Sequence, residues 1–274
     1  MPAVKLSFAE LISEGVGGFF ANVRLFFHLV TIPWILSIAI RAVGELLTDD
    51  SPLSVLAEKA ADVFPTVMFM VAWQRVILLG PHRLERLPGL GWSPRETAYL
   101  LHLIKVAGMT FLLVAAFIYT VWPLDPQALR AGAGADPEMA RRYSLAGPLA
   151  GGFIVSMLLA LRVSWGLAAT AVDVPFAPRQ SWAYSRGNAW TIVGALFLTY
   201  FAGAFATGMT ALFVHGAMRG LFGAREAAAV VSWTAAILVS YAATGVTVSV
   251  QAVIFRRLLA WREGSSLPAV AGSQ

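Results

Sequence analysis

No cysteine occurs among the 274 residues, which excludes disulfides, thiolate metal sites and thiol redox chemistry. Charge is scarce as well. Asp, Glu, Lys and Arg make up 13% of the chain against 58% hydrophobic residues, and the mean hydropathy is +0.71. A soluble domain carries about twice that share of charge, so the composition excludes one and points to a membrane.

Sequence patterns for catalysis are missing too. No His-Glu-x-x-His pair suggests a zinc peptidase, no Gly-x-Ser-x-Gly elbow a serine hydrolase, and no Gly-Lys-Ser/Thr a P-loop. Nor do aspartates cluster on the inner face to hold magnesium. No catalytic residue, metal or cofactor is expected. No segment outside the apolar runs reaches the ~50 residues that a soluble domain needs.

What the chain has instead is six apolar windows of the ~20 residues required to cross a bilayer core. They fall at about 23 to 45, 61 to 80, 98 to 122, 146 to 169, 189 to 215 and 227 to 255. They are too long and continuous for barrel strands. The expected fold is therefore all-α, a polytopic membrane protein of six transmembrane helices. Residues 1–274 are read as a single integral membrane domain.

Basic residues orient it. With the N-terminus cytosolic, the inner face holds Lys5, Arg24, Arg75, Arg83, Arg86, Arg95, Lys105, Arg162, Arg179, Arg186, Arg256, Arg257 and Arg262. The outer face keeps Arg41, Lys59, Arg130, Arg141, Arg142, Arg219 and Arg225. The positive-inside bias then puts both termini in the cytosol, and the acidic Glu45, Asp49, Asp50, Glu58 and Asp62 outside. A cleavable signal peptide is not expected, since Arg41 interrupts the region a peptidase would cut. The expected location is a bacterial inner membrane.

The runs group into three hairpins of roughly eighty residues, each opened by a short cytosolic element. Residues 7–20 place Phe8, Leu11, Ile12, Val16, Phe19 and Phe20 near helical spacing, which predicts an interfacial helix, with Ser7 and Glu10 as a capping box. Ser93, Pro94 and Glu96 predict a capped start for the third span, and Gly187 with Asn188 a break and a cap before the fifth. Even spans return through basic ends with a Trp: Trp73 and Arg75, Arg162 and Trp165, and Arg256, Arg257 and Trp261. The outer stretch 123–144, rich in Pro, Gly and Ala, reads as a flexible connection.

Polar residues near the cytosolic surface are the first candidate site. Arg75, His102, Lys105 and Arg162 map to similar depth and form a cationic collar suited to lipid phosphates. Arg162, Trp182 and Arg186 are expected to make one headgroup-level site, because Pro175 and Pro178 turn the chain along the surface. Single basic residues at such depth also serve as snorkelling anchors. No ionisable residue is expected deep in the bilayer. The second candidate is a polar face on the sixth span, Ser240, Thr244, Thr247 and Gln251, which lines a pocket or bonds neighbouring helices. Gly203 and Thr207 on the fifth span have the small-xxx-small spacing of close helix contact.

Arg162, Ser181, Trp182, Arg186, Gly187, Asn188 and Trp190, with VAWQRVILLG at 71–80, carry a resemblance. The block resembles poorly characterised bacterial inner-membrane proteins similar to the membrane domain of glycerophosphodiester phosphodiesterases. The phosphodiesterase barrel is absent, so the resemblance implies no catalytic residues. The expected function is non-enzymatic: organising or handling membrane lipid, anionic lipid in particular, or assisting a membrane-protein partner. The competing expectation is a small transporter or permease component with its pocket near the sixth span. Nothing points to nucleic acid.

Overall fold

The computed structural model describes residues 5–47, 52–81, 92–121, 137–223 and 225–260. These residues form helices and no strand. In chain order the helices are α1 (Phe8–Ala21), α2 (Val23–Leu47), α3 (Pro52–Leu79), α4 (Pro94–Val121), α5 (Pro137–Ser164), α6 (Leu167–Ala171), α7 (Pro178–Tyr184), α8 (Ala189–Phe222) and α9 (Arg225–Leu259). The protein is all-α and polytopic. Five described helices have spans long and apolar enough to cross a membrane: Val23–Leu46, Leu53–Leu79, Pro94–Ala116, Ala189–Leu221 and Glu226–Leu259. The expected fourth span falls on α5, whose described apolar part, Gly151–Ser164, is shorter than that length. Of the expected connection at 123–144, residues 123–136 lie outside the described part, and 137–144 already belong to α5.

Two boundaries differ from the hydropathy windows. The second span was expected from about 61, yet α3 begins at Pro52. Proline suits a first helical position, and Leu53, Val55 and Leu56 continue the helix outward past its charged turn. Glu58 and Asp62 therefore sit inside α3 and not in a loop. The fourth span was expected to run to 169, yet its helix stops at Ser164, and Trp165 and Gly166 turn the chain.

Helix α9 is the axis of the bundle. It packs against α8 along its length and also meets α1, α2, α3 and α6. Gly223, at φ 67, caps α8 in the left-handed region and reverses the chain into α9. The expected small-residue contact forms here: a Cβ on Gly203 would run into that of Ala243. The 34 residues of α8 span about 51 Å, well beyond a ~30 Å hydrocarbon core.

The surplus length goes to a covered end. Large exposed apolar side chains line α2 from Val23 to Leu46, α3 from Leu53 to Phe64, and α8 from Phe197 to Leu221. Beyond Phe64 no residue of α3 is exposed, and beyond Ser240 none of α9 is exposed until Ala260. That end is wrapped by α1, α6 and α7. The molecule thus has an apolar belt, open to lipid, and a cap that carries most of the described arginines.

Helix α1 is where the predicted interfacial helix falls; its Leu11–Gly15–Phe19 side is covered by α9 and α8, while Phe8 and Phe20 stay exposed. It runs antiparallel to α9: Glu10 and Glu14 meet Arg257 and Arg256, Gly15 meets Val250, and Phe19 lies on Gly245. Leu11 is fully buried there. Ser7 does precede the first turn but makes no side-chain cap bond. Trp73 and Trp165, expected at an interface, are both fully buried. Trp73 stacks on Phe69 and donates to Ser249 Oγ at 2.9 Å.

Candidate functional site

The stretch from Arg162 to Asn188 builds the centre of the cap. Its first turn depends on Gly166, where a Cβ would overlap Ser181 Oγ and crowd the Phe176 ring. The following small residues let α6 slip inward: Leu167, Ala168, Ala169 and Ala171 are all buried, against α3, α4 and α9. Residues 167–169, expected to complete the fourth span, are instead part of a separate short helix. It is a plug inside the cap, and the chain comes out only at Asp173.

Asp173 takes the left-handed conformation, φ 61, which non-glycine residues rarely adopt. Its carboxylate is held from two helices. Arg95 at the start of α4 forks onto it, Nε to Oδ1 at 2.8 Å and Nη2 to Oδ2 at 2.7 Å. Arg75 of α3 donates to Oδ2 at 3.4 Å and to the Ala171 carbonyl, left open at the end of α6, at 3.1 Å. On α4 the expected cap forms, with Ser93 N–H donating to Glu96 at 2.9 Å and Arg95 N–H to Ser93 Oγ at 3.2 Å. That cap fixes the turn from which Arg95 reaches. Two helical turns further, buried His102 bonds Thr170 Oγ1 through Nδ1 at 3.1 Å. Lys105 is exposed a turn beyond it.

Arg162 stands apart from this group. Its Nε donates to Ser185 Oγ at 2.9 Å and its Nη2 to the Trp182 carbonyl at 3.4 Å. The guanidinium carbon lies 3.5 Å from the centroid of the Trp182 ring. Ser185 donates in turn to the Trp182 carbonyl at 3.0 Å, which locks the final turn of α7 beneath the arginine. Arg186 is exposed, close enough for its charge to act on Arg162. Gly187, at φ 82, gives the break expected between this turn and α8. Asn188 occupies the N-cap position of α8 but does not cap it through its side chain. Its Oδ1 instead accepts the Leu6 N–H at 2.9 Å, tying the N-terminal segment to the site.

The predicted collar thus divides. The structure brings Arg162 onto Trp182, with Arg186 exposed nearby. Arg75 joins Asp173, His102 faces Thr170, and Lys105 stays on the surface of α4. Arg162 and Asp173 belong to separate elements because the helix breaks at Gly166. Sequence reasoning did not single out Arg95 as a site residue. Its only sequence signal was its place after a capped start.

The sixth-span face does not form a continuous polar lining. Ser240 is exposed, Thr247 donates back to the Ala243 carbonyl at 3.0 Å, and Gln251 is buried. Gln251 accepts from Gln74 Nε2 and donates to Ser164 Oγ, each at 3.2 Å, and so joins α9 to α3 and α5. Gln74, unremarked in the apolar run of α3, is fully buried.

Among the described residues no group of three or more His, Asp or Glu side chains is placed to hold a metal ion. Fold and site define a polytopic helical membrane protein with a basic, partly closed cap. No family model, curated protein or solved structure matches the chain.

Proposed function

We propose that the protein is a non-enzymatic component of a bacterial inner membrane that handles or organises anionic lipid at the cytosolic face, where both termini lie. One observation carries this reading. Of the cap arginines, Arg75, Arg95, Arg256 and Arg257 meet a carboxylate, whereas Arg162, Arg179 and Arg186 meet none among the described residues, and of these three Arg162 alone is held in place, by hydrogen bonds and a ring. Arg162 is oriented by a hydroxyl, a carbonyl and an indole face, contacts that leave its net charge uncompensated. A guanidinium fixed in this way presents its remaining N–H groups as a fork for phosphate oxygens. Trp182 is partly exposed beside it, and Trp190 is exposed at the start of α8, as suits a headgroup boundary. The likeness of this block to the membrane domain of glycerophosphodiester phosphodiesterases belongs to the same proposal.

Native mass spectrometry tests it. The wild-type protein should retain anionic lipid at a fixed stoichiometry. Arg162→Lys, which keeps the charge but loses the planar fork, should weaken retention, and Arg162→Leu should abolish it while leaving the helices intact. Equal retention by all three would reduce Arg162 to a membrane anchor.

A further inference from the structure

Two arginines of the cap grip a carboxylate that the chain supplies from an unusual backbone position. Val174 N–H donates to the Ala169 carbonyl at 2.9 Å and Asp173 N–H to the Thr170 carbonyl at 3.2 Å, the paired bonds with which a helix ends in a left-handed residue. Asp173, at φ 61, fills that residue's place, where glycine is the usual choice because it has no Cβ to clash. Aspartate keeps the turn and adds a negative charge.

The cationic side is the more firmly built. Arg95 extends from a helix start fixed by the Ser93–Glu96 cap, and Arg75 also donates to the Ala171 carbonyl at 3.1 Å, a bond that does not need Asp173. Their side chains are 29% and 14% exposed, whereas that of Asp173 is 55% exposed and leads into the irregular stretch 174–177. The carboxylate is thus the partner that can leave with least disturbance.

The fork it occupies suits a phosphate equally. Arg95 sets Nε and Nη2 along one edge, 2.8 and 2.7 Å from different oxygens, and Arg75 Nη1 reaches one of these oxygens from α3 at 3.4 Å. A guanidinium edge grips two oxygens of a phosphate as it does those of a carboxylate, and a donor from a second helix extends the cradle. Lipid headgroups lie close by. Trp92, three residues before Arg95, is exposed and packs on Phe64, the last exposed apolar side chain of α3, with ring centroids 5.2 Å apart. An indole in that place marks the edge of the apolar belt.

We propose that Arg75 and Arg95 form a second anion site, masked by Asp173, whose ligand is a phosphate group. In the masked form the carboxylate fills the fork. When phosphate takes it, Asp173 swings out into water and no covalent bond changes. The site is separate from Arg162, and it stands or falls without regard to what Arg162 binds.

The test uses the full-length protein with Arg162→Leu as background, in nanodiscs of phosphatidylcholine with phosphatidylglycerol. Native mass spectrometry should find more phosphatidylglycerol retained when Asp173→Gly, which suits the left-handed turn, is added, and Asp173→Asn should act in the same direction. Arg95→Lys, which keeps the charge but lacks the planar fork, should remove most of that gain. Inorganic phosphate, titrated calorimetrically against the same proteins in phosphatidylcholine alone, separates the two sources of the ligand. Tighter phosphate binding in Asp173→Gly without more lipid assigns the site to free phosphate, and more lipid without tighter phosphate binding assigns it to a headgroup. A gain in neither ligand from Asp173→Gly or Asp173→Asn would overturn the proposal, and so would a gain left whole by Arg95→Lys.

Discussion

Gly15 and Gly166 are small for the same reason, because a second chain passes where their side chain would be. At Gly15 the intruder is Val250 and at Gly166 it is Ser181. At Gly166 both neighbours are held, since Ser181 is fully buried and Phe176 packs on Trp165 with ring centroids 5.5 Å apart. Gly166→Ala should therefore lower stability by about 1–3 kcal/mol, the usual range for overpacking. Thermal unfolding in detergent would measure it, and an unchanged midpoint would mean that α7 moves away freely. The same residues show what the sequence made legible. The Ser93 cap was readable because its parts lie within four residues. The break at Gly166 was not, because α7, the element that requires a glycine there, arrives from a later part of the chain. The start of α3 was hidden for a related reason: hydropathy alone starts the second span at about 61, whereas the helix begins at Pro52.

Among the elements, α1 shows which force does the docking. Its acidic residues pair with Arg256 and Arg257, but those side chains are about a third exposed, and such pairs contribute at most about 1 kcal/mol. Leu11 is fully buried in a cluster with Trp165, Val250, Ile254 and Phe255, and truncating such a leucine costs about 2–5 kcal/mol. Leu11→Ala should destabilise the protein far more than Glu14→Gln, which should stay within about 1 kcal/mol. Equal losses, read from thermal unfolding at low and high salt, would show that charge holds the helix. Amphipathic spacing announced α1, but a surface-lying helix and a docked one have the same periodicity. The difference lies in α9, whose Gly245 leaves room for the Phe19 ring.

At the scale of the whole molecule, the apolar belt and the covered cap fix where the bilayer lies. The sequence made the all-α membrane class plain, because long apolar runs admit few other solutions. It did not show that α3, α8 and α9 extend past the bilayer, since a buried cap helix and a membrane span are equally apolar. The two can be separated by water access. The absence of cysteine makes single introduced cysteines clean reporters. Phe64→Cys and Phe205→Cys, in the belt, should resist a membrane-impermeant maleimide from either side. Lys5→Cys and Arg179→Cys should react from one side of sealed vesicles, and Glu45→Cys and Arg219→Cys from the other. With the cap in the cytosol, only inverted vesicles should label Lys5→Cys and Arg179→Cys without permeabilisation. Labelling of Phe64→Cys at the rate of Arg179→Cys would move the bilayer boundary outward along α3.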